Sequence, residues 1–296
     1  METRSTIQQT SSHNTSNRLV TYLSMTRPVN CLMIGLAVVV GEIINLGVIP
    51  PLDRLVLGFL TASLMMAGTM VLNDVYDIEI DRVNAPTRPL PSGRASLTGA
   101  YLLAGVLSIA SIISAILLGL ASLLIALLAL GLMVFYNARG KRLGLLGNTI
   151  VSFNVALPFV FGGISVSSLR PAVFLFSLLA FLSNLGREVA KGIVDVHGDG
   201  VHGVRTLAVL KGARAAALTS ASLFVSAVIV SLVPPILGIV SIWYLPIVLV
   251  ADIGFIGSSA SLASKPEPER AKKVKNIVLL WMLLGLVAFL FGGIAH

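Results

Sequence analysis

Long apolar stretches separated by short polar breaks run from about residue 29 to the C-terminus. Nine of them approach 20 residues, roughly 29–49, 55–76, 97–117, 119–138, 146–165, 171–194, 213–233, 236–258 and 275–295. About 20 consecutive apolar residues span a bilayer as a helix. Barrel strands alternate apolar and polar positions, whereas these runs are continuous. The pattern therefore predicts an all-α polytopic membrane protein with nine transmembrane helices. Residues 1–20 are polar, with no apolar core of a signal peptide. They read as a mobile tail ahead of one membrane domain over 21–296.

Charge sharpens this map. Only 11% of residues are charged, against about 25% in soluble domains. If the nine spans alternate, 19 of the 21 Lys and Arg fall on one face, with Arg54 and Arg170 opposite. Basic loops stay cytoplasmic, so the expected location is the cell membrane, with a cytoplasmic N-terminus. The net charge of +8 then reflects orientation and anionic phosphates rather than nucleic acid. No nucleic acid and no protein partner is inferred. Cys31 is the single cysteine, so no internal disulfide forms.

Seven of the 13 acids lie in two clusters, 74–81 and 188–199, at the cytoplasmic ends of spans 2 and 6. Their separation by four spans suggests two four-helix halves plus a final helix. At about 100° per residue, Asn73, Asp77 and Asp81 lie at 0°, about 40° and about 80° on one helical face. Asp74 and Glu79 point elsewhere. Glu188, Asp195 and Asp199 fall within about 20° of one line, with Lys191 about 60° away. Stacked carboxylates repel one another without a cation. Hard oxygen donors at a membrane edge suit Mg²⁺, which shares its shell with substrate phosphates. A lone aspartate there would simply cap a helix. Two ladders, each followed by Arg or Lys, suit a metal-bound diphosphate better.

"NDVYDIEIDRVNAPTRPLPSGR" (73–94) resembles the first aspartate-rich motif of the UbiA superfamily of intramembrane prenyltransferases. "GREVAKGIVDVHGDGVHGVRTL" stands where that family has its second. "YNARGKR" and "MTRPVN" resemble two shorter family segments. The resemblance implies nine helices around a central cavity, a cytoplasmic polar cap and Mg²⁺-dependent transfer of a polyprenyl group from its diphosphate. Arg187, Glu188 and Lys191 ahead of Asp195 resemble the archaeal branch, which adds geranylgeranyl to the sn-2 hydroxyl of geranylgeranylglyceryl phosphate to make an ether lipid precursor. The chain departs from that branch at Val194 and His197, where acids are usual.

That reaction implies roles. Asn73, Asp77 and Asp81 would hold one Mg²⁺, and Asp195 with Asp199 a second. Arg82, Arg88, Tyr136, Lys141 and Arg205 would contact the diphosphate. Arg27, Asn30, Arg187 and Lys191 would bind the acceptor. Glu188 is a candidate base, and the departing diphosphate is another. The substrates are a polyprenyl diphosphate and a lipid-like acceptor drawn from the bilayer.

Two other readings compete. An aromatic or chlorophyllide prenyltransferase would share the first motif. A cation-coupled transporter would use carboxylates as an ion site, but such sites lie near the bilayer midplane. Elsewhere the motifs read structurally. Pro91-Ser92-Gly93 predicts a turn capping the next helix, Gly162-Gly163 and Gly292-Gly293 predict close helix packing, and Pro158 and Pro246 predict kinks. Glu42 and Asp252 are carboxylates within spans, which invites a functional reading, while the bland reading has them near the outer helix ends, reaching water.

Overall fold

The computed structural model describes residues 18–201 and 203–294. Most of the tail expected over 1–20 lies outside them. Among the described residues, nine helices are long and apolar enough to cross a membrane, and there is no strand.

The helices are α1 (Pro28–Leu46), α2 (Leu52–Tyr76), α3 (Ile78–Asn84), α4 (Leu97–Leu118), α5 (Leu120–Ala138) and α6 (Leu145–Ser165). They continue as α7 (Ala172–Val194), α8 (Val196–Val201), α9 (Leu207–Ser231), α10 (Val233–Ile236), α11 (Tyr244–Ser264) and α12 (Pro268–Ile294). A 3₁₀ turn, Gly140–Leu143, joins α5 to α6. The short α3 and α8 prolong α2 and α7 at one end of the bundle, the cap end.

Two boundaries differ from the sequence expectation. The seventh span keeps its expected start at 213, because Gly212 at φ 83°, ψ 163° breaks the helix and sets residues 207–211 apart as a short separate turn. The eighth occupies 244–264 rather than 236–258. Pro234 and Pro235 form the short α10, and Gly238 at φ 64° ends it. The ninth starts at Pro268, a favoured first helical residue, so its basic first turns belong to the helix. Pro246 lies in the first turn of α11, where proline removes no needed donor. It therefore causes no kink, unlike the sequence expectation. Pro158 does lie inside α6. The turn at Pro91–Gly93 is present, but the cap of α4 is Ser96, whose Oγ accepts from Gly99 N–H at 3.1 Å.

Helix α1 packs against α2, α6, α7 and α12. Its approach to α6 needs glycine on both sides. A Cβ on Gly162 would lie 2.7 Å from Glu42 N and 3.0 Å from Gly41 C. Small residues bring helix backbones together where lipid supplies no hydrophobic drive. An aromatic group then ties α6, α7, α11 and α12. Phe289 lies 4.4 Å from Phe176 and 5.8 Å from Phe159, centroid to centroid, and Tyr244 stacks on it.

At the far end, arginines bond to helix-terminal carbonyls. Arg54 Nη1 donates to Leu118 O and Ser165 O, each at 3.1 Å. Arg170 Nη2 donates to Leu46 O at 3.4 Å. Glu42 and Asp252 do not reach water, contrary to the bland reading. Glu42 is fully buried and accepts from Ser165 Oγ at 2.8 Å, and buried Asp252 accepts from Ser231 Oγ at 2.8 Å.

Candidate active site

The first wall forms where α2 breaks. Asp77 takes φ −91°, ψ 1°, yet helical hydrogen bonds run through it, from Asp77 N–H to Asn73 O and from Asp81 N–H to Asp77 O. The i, i+4 spacing therefore survives while the axis changes. Asn73 Nδ2 donates to Asp77 Oδ2 at 3.0 Å, and Lys141 Nζ reaches Asp77 Oδ1 at 2.5 Å. Asp81 is buried and pairs with Arg88 at 2.5 Å. Burial pushes the Asp81 carboxyl up, Asp77 and Asp74 add to the shift, and Arg88 opposes it. Burial also pulls the Lys141 ammonium down, against the attraction of Asp77.

Asp74 belongs to this wall, although the helical angles left it out. It is buried, pairs with Arg27 at 2.9 Å and lies 3.9 Å from Arg88. Arg88 thus bridges Asp74 and Asp81. Arg27 takes φ 52°, a costly conformation for a side chain larger than glycine. The ion pair to Asp74 helps hold it there.

The second wall repeats the first. Asp195 ends α7 at φ −95°, ψ 7°. Its N–H bonds to Lys191 O, and Asp199 N–H bonds to Asp195 O at 2.8 Å. Glu188 is buried and accepts from Lys191 at 3.3 Å and from Arg187 at 3.4 Å. Arg187 Nε also donates to Lys275 O at 3.1 Å. Glu188 is therefore the shared counter-ion of Lys191 and Arg187. Asp195 and Asp199 make no ion pair among the described residues. Burial and the Asp195 charge push Asp199 up to about 6, against Lys191 and a hydrogen bond with Thr206.

The walls face one another. Helices α3 and α8 touch. Tyr136 lies between, within electrostatic reach of Asp77 on one side and Glu188, Lys191 and Asp199 on the other. Lys141 Nζ stands 5.7 Å from the Tyr136 ring centroid, in cation–π range. Next to Tyr136, buried Asn137 has no hydrogen-bond partner among the described residues for either Nδ2 or Oδ1. Such orphans are rare in folded proteins, and the sequence reading did not single this one out.

Three expected contacts are not brought in. Arg82 is exposed and donates at 2.9 Å to both carboxylate oxygens of exposed Glu79, facing away from Asp77. Helical geometry explains this, since Arg82 is i+3 to Glu79. Arg205 is exposed on the loop before α9 and makes no ion pair among the described residues. Asn30 lies partly buried in the first turn of α1 with no side-chain hydrogen bond among those described.

The donor set fits a hard divalent ion. Every acid in it offers oxygen, and Asp195 and Asp199 make no ion pair among the described residues. Among the described residues, no three acidic, histidine or cysteine groups stand close enough to hold an ion alone. Mg²⁺ is commonly held by one or two carboxylates plus substrate phosphates, so paired acids suffice.

Among the described residues, nine apolar helices with two facing carboxylate–cation walls at one end define a polytopic membrane protein. Residues 33–292 match the model of the UbiA prenyltransferase family, so the chain belongs to that family and is a membrane-embedded prenyltransferase. It is 34% identical over 277 residues to digeranylgeranylglyceryl phosphate synthase of Methanocaldococcus jannaschii, covering 94% of this chain and 97% of that one. It is 36% identical over 276 residues to the enzyme of that name from Korarchaeum cryptofilum, covering 92% and 97%. A solved structure concerned with digeranylgeranylglyceryl phosphate synthase in membranes superposes with TM-score 0.74 at 32% identity, over 94% of this chain and 99% of that one. A UbiA homolog from Archaeoglobus fulgidus bound to DMAPP and Mg²⁺ shares the fold, with TM-score 0.64 at 20% identity, over 91% and 99%.

Proposed function

We propose that the protein transfers a geranylgeranyl group from geranylgeranyl diphosphate to the sn-2 hydroxyl of geranylgeranylglyceryl phosphate. The observation that carries this reading is the second wall. Arg187 and Lys191 stand beside Glu188 while Asp195 and Asp199 make no ion pair among the described residues, so cations for an acceptor phosphate and acids for a metal lie together. The named relatives, matched along almost their whole length, support the same reading.

Asn73, Asp77 and Asp81 would hold one Mg²⁺ and Asp195 with Asp199 a second, by analogy with the Mg²⁺-bound relative. Bound there, Mg²⁺ neutralises diphosphate charge as a Lewis acid. The chain supplies the rest. Lys141 and Arg88, already facing Asp77 and Asp81, take the remaining diphosphate charge. Arg27, Arg187 and Lys191 orient the acceptor phosphate. The apolar bundle below keeps water from the allylic carbon. The C1–oxygen bond to diphosphate breaks and the C1–oxygen ether bond forms. The departing diphosphate takes the hydroxyl proton, because Glu188 is occupied by two cations.

The cap end, with its basic loops, lies in the cytoplasm and the protein in the cell membrane. The matched breaks at Asp77 and Asp195 support a chain built from two four-helix halves and a ninth helix. A direct test offers labelled geranylgeranyl diphosphate and Mg²⁺ with geranylgeranylglyceryl phosphate, 4-hydroxybenzoate or a chlorophyllide. Ether product with the first alone supports the reading. Product with an aromatic acceptor alone, or none with any, overturns it.

A further inference from the structure

Below the cap the bundle contains two apolar cavities side by side. One lies among α1, α2, α5 and α6. The other lies among α1, α6, α7, α9, α11 and α12. Ile34 and Val155 line both and form the wall between them.

Different groups stand above them. The first cavity reaches the cap end at Met70 and Met133. These residues lie about one helical turn before Asn73 and Tyr136, so this cavity opens beneath Asp77 and Lys141. The second includes Ser183 of α7 and Met282 of α12. Glu188 and Lys275 follow about one to two turns closer to the cap on those helices, so it opens beneath Arg187 and Lys191. Its other end is polar. Asp252 and Ser231 line it, joined at 2.8 Å, and Tyr244 Oη donates to Ser231 O at 2.8 Å. A carboxyl group at membrane depth is costly to cover with hydrocarbon, so an apolar chain stops short of it.

We propose that the second cavity is a separate subsite for the isoprenoid chain of the phosphorylated acceptor lipid, with Ser231 and Asp252 as the floor that limits chain length. The first cavity takes the chain of the donor. The assignment of acceptor and donor rests on the transfer reaction proposed above. The Ile34–Val155 wall lets both chains bind at once, with their polar ends meeting under the cap.

Trp281 lines the second cavity, and the chain's other tryptophan, Trp243, is exposed at the far end. Trp243→Phe therefore leaves one reporter. Geranylgeranylglyceryl phosphate carrying a brominated chain is expected to quench Trp281 fluorescence, and a brominated donor is not. This binding readout holds whether or not transfer occurs, so it separates failure of the subsite from failure of the reaction. Quenching by the donor alone, or by neither, overturns the subsite.

Kinetics supply the second arm. A Cβ on Gly285 meets nothing within 4 Å, so Gly285→Leu fills the second cavity without a backbone clash. It is expected to raise the acceptor KM about tenfold and leave the donor KM within about twofold. Ala129→Leu, in the first cavity, is expected to do the reverse. Asp252→Leu is expected to raise kcat/KM for longer-chain acceptors relative to the C20 lipid. Gly285→Leu raising the donor KM alone, or both KM values equally, overturns the assignment.

Discussion

The Lys141 ammonium lies 2.5 Å from Asp77, joining the turn after α5 to the break in α2 across 64 residues. That pair puts Asp77 inside the site, while Glu79, two residues on, faces outward with Arg82. Asp77→Ala is expected to lower kcat by about 10²–10³ or more, as loss of a charge-stabilising group does. Glu79→Ala should stay near wild type. Steady-state rates on matched, folded preparations decide it, and equal losses from both would undo the inward–outward distinction.

Asp199 gives a pH prediction. Its folded value of about 6 lies above the ordinary carboxylate range, so the site favours its proton more than the unfolded chain does. The ionised form therefore costs folding stability, a cost fully present above about pH 6 and removed as pH falls toward the unfolded value. Function runs the opposite way, since a metal ligand must be deprotonated. At limiting Mg²⁺, activity is expected to fall as pH drops through about 6. Raising Mg²⁺ should move that limb to lower pH. A limb indifferent to Mg²⁺ would place the titration elsewhere.

Asn137 should behave unlike an ordinary buried amide. An unpaired buried polar group costs about 1–3 kcal/mol. Asn137→Leu is thus expected to preserve or raise the melting temperature in detergent while reducing turnover. If turnover is unchanged, the amide has no part in handling substrate.

Gly162 packs where α1 and α6 touch. Gly162→Ala forces a methyl group against the α1 backbone and is expected to cost about 1–3 kcal/mol. A thermal-shift series should show it. Activity per folded molecule should change little, because the contact lies away from the cap.

Much of this was legible in the sequence because membranes impose coarse rules. Uninterrupted apolar runs fixed the helix count, and the one-sided distribution of Lys and Arg fixed the pairing of loops. Helical angles on one segment set Asp77 and Asp81 apart from Glu79, and in the structure Glu79 is exposed while Asp77 and Asp81 pair with Lys141 and Arg88. They failed for Asp74, because its partner Arg27 arrives from the start of α1, and periodicity within one helix carries no information about its neighbour. Arg82 was misplaced for a related reason, since its local partner, Glu79, captures it first. The eighth span slipped because Ile236 to Trp243 is as apolar as a span, and only Pro234, Pro235 and Gly238 mark the break. Asn137 carried no signal beyond its neighbour Tyr136, since burial without a partner exists only in three dimensions.

The two arginines opposite the cap look at first like exceptions to the one-sided charge distribution. Arg54 is bonded to the last carbonyls of α4 and α6, and Arg170 to the last carbonyl of α1. Helix C-termini carry partial negative charge, so both guanidiniums are matched by the ends of the helices they join. The topogenic contrast between the faces is therefore steeper than a residue count suggests. Adding an unpaired lysine beside Arg170 would perturb membrane insertion more than losing one of the many basic residues at the cap.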